Sequence, residues 1–285
     1  MRKNISKSFI MIITAMTIAV GTMVPQYTVQ ATTLGGKIEY EDFDYVDYAT
    51  RYPDLQAVYG LDKDALYKHY SETGFREGRI VKIPRTALLN EWNFDGARYA
   101  ADYPDVAAVV GMDSSALLKH YKEIGYYEGR VAYATDNNTN AKLKVYDVAN
   151  QITNDEMSDE AKVRVVHDWI VNNTTYGKAD RNSCYSVEGP MLYGLAVCQG
   201  YAETFKAFMD VLGIDSKVII GRAYNGQNTG GHAWNRVCLN GTWYNIDVTW
   251  DDPVSSSGNI LRYNYYLISD AQISADHFAS IYGNK

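Results

Sequence analysis

Apolar positions recur at helical spacing after Gly200. Tyr201, Phe205, Phe208 and Leu212 stand at i, i+4, i+7 and i+11, and Gly213 follows as a stop. The spacing predicts an amphipathic helix with Cys198 at or just before its first turn. Further on the period changes to two, in "HAWNRVCLNGTWYNIDVTWDDP". Asn240-Gly241 between two alternating runs signals a hairpin closed by a two-residue type I′ turn. That turn fixes the register: 239 faces 242, 234 faces 247 and 232 faces 249. His232 and Asp247 then share one face as diagonal neighbours, roughly 7 Å apart, and a one-residue slip would separate them. The opposite face carries Val237, Leu239, Tyr244, Ile246 and Val248 and is expected to be core.

The N-terminal half has another texture. Residues 43–79 align without a gap on residues 94–130, at a constant offset of 51, with 21 identities in 37 positions. That is a duplicated module. Each copy reads as two short helices, the first ending before Tyr-Pro-Asp and the second stopping at Gly74 or Gly125, where glycine is suited to a left-handed cap. His69 and His120 read as partly buried helix residues with no second metal ligand nearby. Residues 132–141, including "ATDNNTNA", read as a linker. A helix is then predicted over 142–151. Another starts after Ser158, with Asp159 and Glu160 in its first turn and Ala161, Val165, Trp169 and Ile170 on one side. The pattern thus divides the chain into two tandem helical repeats within 41–131, a linker, and a second domain over 142–285.

Residues 1–31 are expected to be a secretory signal. Arg2, Lys3 and Lys7 precede the apolar run "FIMIITAMTIAV", and Val29-Gln30-Ala31 offers small residues for cleavage. The run is shorter than the ~20 residues of a spanning helix, so the mature chain is expected to be secreted, without stable membrane insertion, either free or associated with the cell wall. The net charge of −7 becomes −10 without this segment, which carries three basic and no acidic residues. No basic patch suggests nucleic acid. The spacings of Cys184, Cys198 and Cys238 match no common zinc pattern, and neither metal nor cofactor is expected. Cys184 and Cys238 could pair with each other, or Cys238 could be a buried thiol.

A thiol at a helix start gains from the partial positive charge of unpaired backbone N–H groups. With a histidine and a carboxylate on one hairpin face, the set matches what cysteine acyl transfer needs: nucleophile, base and orienting acid. Taken singly, His232 could be an ordinary strand histidine and Asp247 a turn residue. The Cys198 backbone N–H is the natural half of an oxyanion hole, and Gln199 and Tyr193 are candidates for a side-chain donor. Trp234 and Trp243 fall on the His232 face as cleft or core aromatics. His167-Asp168 is a poor dyad, since adjacent helical residues point apart. Asp251-Asp252-Pro253 reads as a turn, and His277 as structural.

Three blocks, "AVCQGYAETFKAFMDVLGI", "GGHAWNRV" and "GTWYNIDVTWDDP", resemble those of the transglutaminase-like superfamily. The likeness extends from about Leu143 to the C-terminus. It implies an α+β, papain-like core, with the cysteine helix packed on an antiparallel sheet, and a triad of Cys198, His232 and Asp247. Ala196 departs from the family's usual glycine. The implied enzyme forms a thioester with a protein or peptide substrate. Water as acceptor makes it a peptidase or amidase acting on protein or cell-wall peptides; an amine makes it a glutamine transglutaminase. A third reading gives the repeats the main role, as a module that attaches to cell wall or glycan, with little or no catalysis; alternatively they are a spacer.

Overall fold

The computed structural model describes residues 37–279, apart from 78, 80, 179–181 and 255–259. The expected signal segment lies outside the described residues.

The first duplicated segment forms three seven-residue helices, α1 (Tyr45–Arg51), α2 (Pro53–Tyr59) and α3 (Lys63–His69), then a π-helical turn Tyr70–Gly74. The second forms α4 (Gly96–Asp102), α5 (Pro104–Val110), α6 (Ser114–His120) and the turn Tyr121–Gly125. The additional helix in each copy corrects the two-helix expectation. Proline does end α1 and α4, but it also opens the next helix at its first position, where a missing N–H costs nothing. Asp44, Asp62, Asp95 and Asp113 each cap a helix by accepting from the backbone N–H three residues on.

Gly74 and Gly125 are not left-handed caps. They are required because a Cβ on either would collide with the hydroxyl of Tyr48 or Tyr99. Those buried hydroxyls bond to Nδ1 of His69 (3.1 Å) and His120 (3.2 Å). The duplicated histidines thus satisfy buried tyrosines in a core of Phe43, Tyr48, Tyr70, Phe94, Tyr99 and Tyr121.

The second half of the predicted linker, 137–141, is helix. Asp136 caps α7 (Asn137–Ile152), so the Asn- and Thr-rich stretch supplies that helix's first turn. Ser158 caps α8 (Asp159–Asn173) as expected, but the buried face is Val163, Val166, His167, Ile170 and Val171. It is rotated from the predicted side because the ring of His167 packs among Tyr263 and Tyr266, a contact no local periodicity encodes.

The second half is α+β. A short parallel pair, β1 (Thr175–Tyr176) and β2 (Leu195–Ala196), leads directly into α9 (Cys198–Leu212). An antiparallel sheet follows, built from β3 (Ser216–Tyr224), β4 (Thr229–Leu239), β5 (Thr242–Ile246) and β6 (His277–Ala279) in the order β5-β4-β3-β6. A one-turn helix, α10 (Asp270–Ile273), precedes β6. The cysteine helix packs on β3 and β4, with α7 and α8 on its other sides. Tyr201, Phe205 and Phe208 are fully buried, each stabilising the packing by about 1.5–3 kcal/mol. Asn240 (φ 51°) and Gly241 (φ 77°) form the left-handed pair of a type I′ turn. The ladder runs from Leu239↔Thr242 to Asn235↔Ile246, in the predicted register.

Candidate active site

Cys198 is the first residue of α9, after Val197, which offers no side-chain cap. Gly200 keeps this end of the helix close to Cys184: a Cβ there would strike the Cys184 carbonyl, which accepts from Val197 N–H at 3.1 Å. The thiol is half-buried and hydrogen-bonded to His232 and to the backbone N–H of Ala233. His232, 9 % exposed, directs Nε2 at Asp247 Oδ2, 2.7 Å away. That leaves Nδ1 for the sulfur.

Asp247 is fully buried just past the end of β5. Its Oδ1 accepts from the N–H groups of Thr249 (3.0 Å) and Trp250 (3.2 Å), closing the turn after the strand. Its Oδ2 meets Nε2 of both His232 and His277, the latter at 3.0 Å. His277 in turn sets Nδ1 2.6 Å from Asp276 Oδ1, and Tyr265 donates to Asp276 Oδ2 at 2.7 Å. The polar chain runs Cys198–His232–Asp247–His277–Asp276–Tyr265. Trp234 and Trp250 enclose it, with ring centroids 6.2 and 5.4 Å from His232.

Electrostatics favour an ion pair. Burial works against a charged His232, but the Asp247 carboxylate and then Cys198 outweigh it and push its pKa up from 6.5 to about 10. Burial also opposes the Cys198 thiolate; the hydrogen bond and charge of His232, with the Ala233 N–H, overcome it and lower the thiol pKa. Asp247 is held below its ordinary value: burial would raise it, and the charge and hydrogen bonds of His232 and His277 prevail. A thiolate, an imidazolium and an oriented carboxylate in contact are the groups acyl transfer through sulfur uses.

The other sequence candidates are dispersed. The Gln199 side chain is engaged with Glu203, one turn along α9. The Tyr193 hydroxyl donates to Glu188 (3.3 Å) and accepts from Asn137 (3.4 Å). Trp243 lies beneath Lys217, 4.4 Å from its ring centroid, instead of joining Trp234 at His232; it pairs with Cys238, on the same face of β4 but six positions along the strand from His232. All three thiols are free, so the Cys184–Cys238 pairing is not formed. The adjacent pair His167-Asp168 does bond, at 2.9 Å. His167 also reaches Asp251 at 3.2 Å and is a satisfied core histidine.

Tyr176, Trp250 and His277 escaped the sequence reading as parts of the site. Tyr176 pairs with Ala196 across β1–β2 and comes within electrostatic reach of Cys198; burial and the cysteine's charge both raise its phenol pKa. Only Trp250 had a local signal, since an aspartate commonly caps the N–H groups two or three residues on.

Nε2 of His232, Oδ2 of Asp247 and Nε2 of His277 lie within 4.8 Å of one another, a donor set that could hold a metal ion. The 2.7 and 3.0 Å contacts among them are hydrogen-bond distances. They are shorter than the roughly 3.3 Å between donors around zinc at ~2.0–2.1 Å, so the trio would have to open to accept one.

Residues 146–248 match the family described as the transglutaminase-like superfamily. The chain is 26 % identical over 185 residues to kyphoscoliosis peptidase from Homo sapiens and 27 % identical to that from Mus musculus, alignments covering 58 % of this chain. It spans only 27 % of the length of these relatives. Among solved structures it resembles a TGase, with a TM-score of 0.34 and 20 % identity, covering 46 % of this chain and 38 % of the other. It also resembles a protein from Cytophaga hutchinsonii described as a candidate cysteine protease, with a TM-score of 0.35 and 24 % identity, covering 50 % and 47 %.

Proposed function

We propose that the protein is a secreted cysteine hydrolase that cleaves amide bonds of proteins or peptides through Cys198, His232 and Asp247. The observation that carries this is the contact order at the site: a thiol at the start of α9, bonded to an imidazole whose other nitrogen is held by a fully buried carboxylate. The likeness to relatives named as peptidases supports it.

In the reaction the Cys198 thiolate attacks the amide carbonyl carbon, and the C=O pair moves to oxygen. The backbone N–H of Cys198, free at the helix start, stabilises that oxyanion. On collapse the C–N bond breaks, and the imidazolium of His232 gives its Nδ1 proton to the leaving amine. Water then attacks the thioester while Nδ1 takes its proton, releasing the acid and restoring the ion pair. Asp247 holds the ring orientation throughout. The helical repeats would then tether the enzyme to its substrate, cell wall or glycan, or act as a spacer.

Incubating the protein with a glutamine-containing polypeptide and a labelled primary amine separates the outcomes by mass spectrometry. Chain cleavage, or a gain of about 1 Da per converted glutamine, is expected for a hydrolase. Incorporated amine in place of either would assign a transglutaminase instead.

A further inference from the structure

The two copies of the duplicated module differ at one slot. In the first copy Tyr40 lies over α3. Its hydroxyl donates to Asp64, its ring meets Tyr67 edge-on at 5.2 Å, and the Lys63 ammonium stands 4.5 Å from its centroid. The constant offset of 51 maps Tyr40, Asp64 and Tyr67 onto Glu91, Ser115 and Leu118 in the second copy. These three cannot rebuild the contact: the phenol is gone, and so are the carboxylate and the ring that held it. They line instead a cavity of about 730 Å³ beside α6, within the ~300–1,000 Å³ of small-ligand sites. The place that a phenol fills in the first copy is open in the second.

The walls of the cavity are fixed and chemically mixed. Residues 41–44 of the first copy close one side, where the Asp42 carboxylate accepts from the Lys122 ammonium and the Thr86 hydroxyl, each at 2.9 Å. Phe43 and Leu118 contribute apolar surface, and the Tyr127 ring, 79 % exposed, adds a free aromatic face. Five carboxylates against two lysines give the lining a charge of −3. Both lysines are already paired, Lys122 with Asp42 and Lys119 with Glu123 at 3.9 Å. The carboxylates of Glu41 and Glu91 accept no hydrogen bond among the described residues. An anion entering here meets repulsion and no free cation. A hydroxyl meets waiting acceptors, and its bond to a carboxylate is charge-assisted and about twice as strong as a neutral one.

We propose that this cavity binds a pyranose ring of a neutral glycan, with ring hydroxyls donated to Glu91 and Glu41 and the C–H face of the ring against Tyr127. The filled slot of the first copy is the pattern for it: a neutral ring gives its hydroxyl to a carboxylate and sets its face among apolar neighbours. The proposal rests on the tethering reading of the repeats and seats the tether in the second copy. It is independent of the acyl-transfer reading, because no member of the triad lines the cavity.

The test titrates the full chain with tri-N-acetylchitotriose and with cellotriose, using trigalacturonate and cadaverine as anionic and cationic controls, and follows binding by calorimetry. Saturable binding of a neutral trisaccharide, and of neither control, is expected. Glu91→Gln keeps the shape of the side chain and removes its charge, and should weaken that binding about fivefold. Glu91→Tyr/Ser115→Asp rebuilds the filled slot of the first copy and should abolish it, while iodoacetamide alkylates Cys198 as fast as in the wild type. Failure of both trisaccharides to bind the wild-type protein, binding of a charged control in their place, or affinity unchanged in Glu91→Gln would overturn the proposal, whether or not the double variant folds. Sedimentation with purified cell wall separates this site from the reading beneath it. Wall binding that survives the refilled slot would keep the tether and exclude the cavity as its seat; a wild-type chain that does not sediment would remove the tether itself.

Discussion

Replacing Asp247 by Asn probes the site through its most constrained member. The carboxylate receives four hydrogen bonds: Thr249 and Trp250 N–H on Oδ1, and two imidazole nitrogens on Oδ2. An asparagine has one oxygen for these four donors. If that oxygen stays on the turn, the amide NH2 faces His232 Nε2. The ring must then accept there and carry its proton on Nδ1, toward the sulfur, where no base remains. If it faces the histidines, the turn loses both acceptors. The charge is lost in either case. The rise of His232 from 6.5 to about 10 corresponds to about 5 kcal/mol of preference for the charged ring. Without Asp247 its pKa should fall back toward 6.5, and the Cys198 thiol, deprived of its cation, should return toward 9.0. A thiol at 9.0 is ionised to about one part in a thousand at pH 6. Iodoacetamide labelling of Cys198 at pH 6 should therefore slow at least tenfold, with about a thousandfold as the ceiling, and amide turnover should fall on the order of 10²–10⁴. Stability shifts with pH as well. The raised His232 pKa contributes stability that is complete below pH 6.5 and lost as pH rises through about 10, and the variant should lack that alkaline loss. A folded Asp247→Asn protein whose Cys198 is labelled at pH 6 as fast as wild type would refute the ion-pair reasoning.

Two further perturbations address other parts of the structure. His277→Ala should lower kcat about tenfold with KM little changed, because Asp247 loses a partner that fixes it; His277→Gln, which can still donate to Oδ2, should recover part of that, and equal kcat in all three proteins would leave His277 a packing residue. Gly74→Ala should destabilise the chain by about 1–3 kcal/mol in denaturant titration, since its Cβ collides with the Tyr48 hydroxyl; removing that hydroxyl in Gly74→Ala/Tyr48→Phe should restore part of the loss, and no destabilisation would contradict the close approach.

Much of the architecture was legible because its causes are local. The Asn240-Gly241 turn fixed the β4–β5 register, since a two-residue type I′ turn leaves one way to pair the strands, and the register put His232 and Asp247 on one face. The helical period after Gly200 placed Cys198 at the start of α9 for the same reason: a helix begins where its periodic face begins. The helix that Pro53 opens leaves no sequence signal of its own, because proline reads as a terminator in sequence and acts as a first residue in space. The buried face of α8 differs from the one its apolar pattern predicts because His167 is buried by partners around one hundred residues away.

Everything that completes the site depended on tertiary structure. His277 reaches Asp247 only because β6 adds to the far edge of β3, a pairing between segments more than fifty residues apart. Tyr176 reaches Cys198 through a two-residue parallel bridge too short to leave a periodic pattern. β4 runs on past the end of its ladder with β5 because β5 stops at Ile246, where Asp247 turns inward to cap the next turn. Sequence alone determined the nucleophile's place on its helix and the histidine's face on its strand, because repeating geometry propagates from residue to residue. Tertiary structure decided which groups surround them, because that depends on where separate segments end against one another.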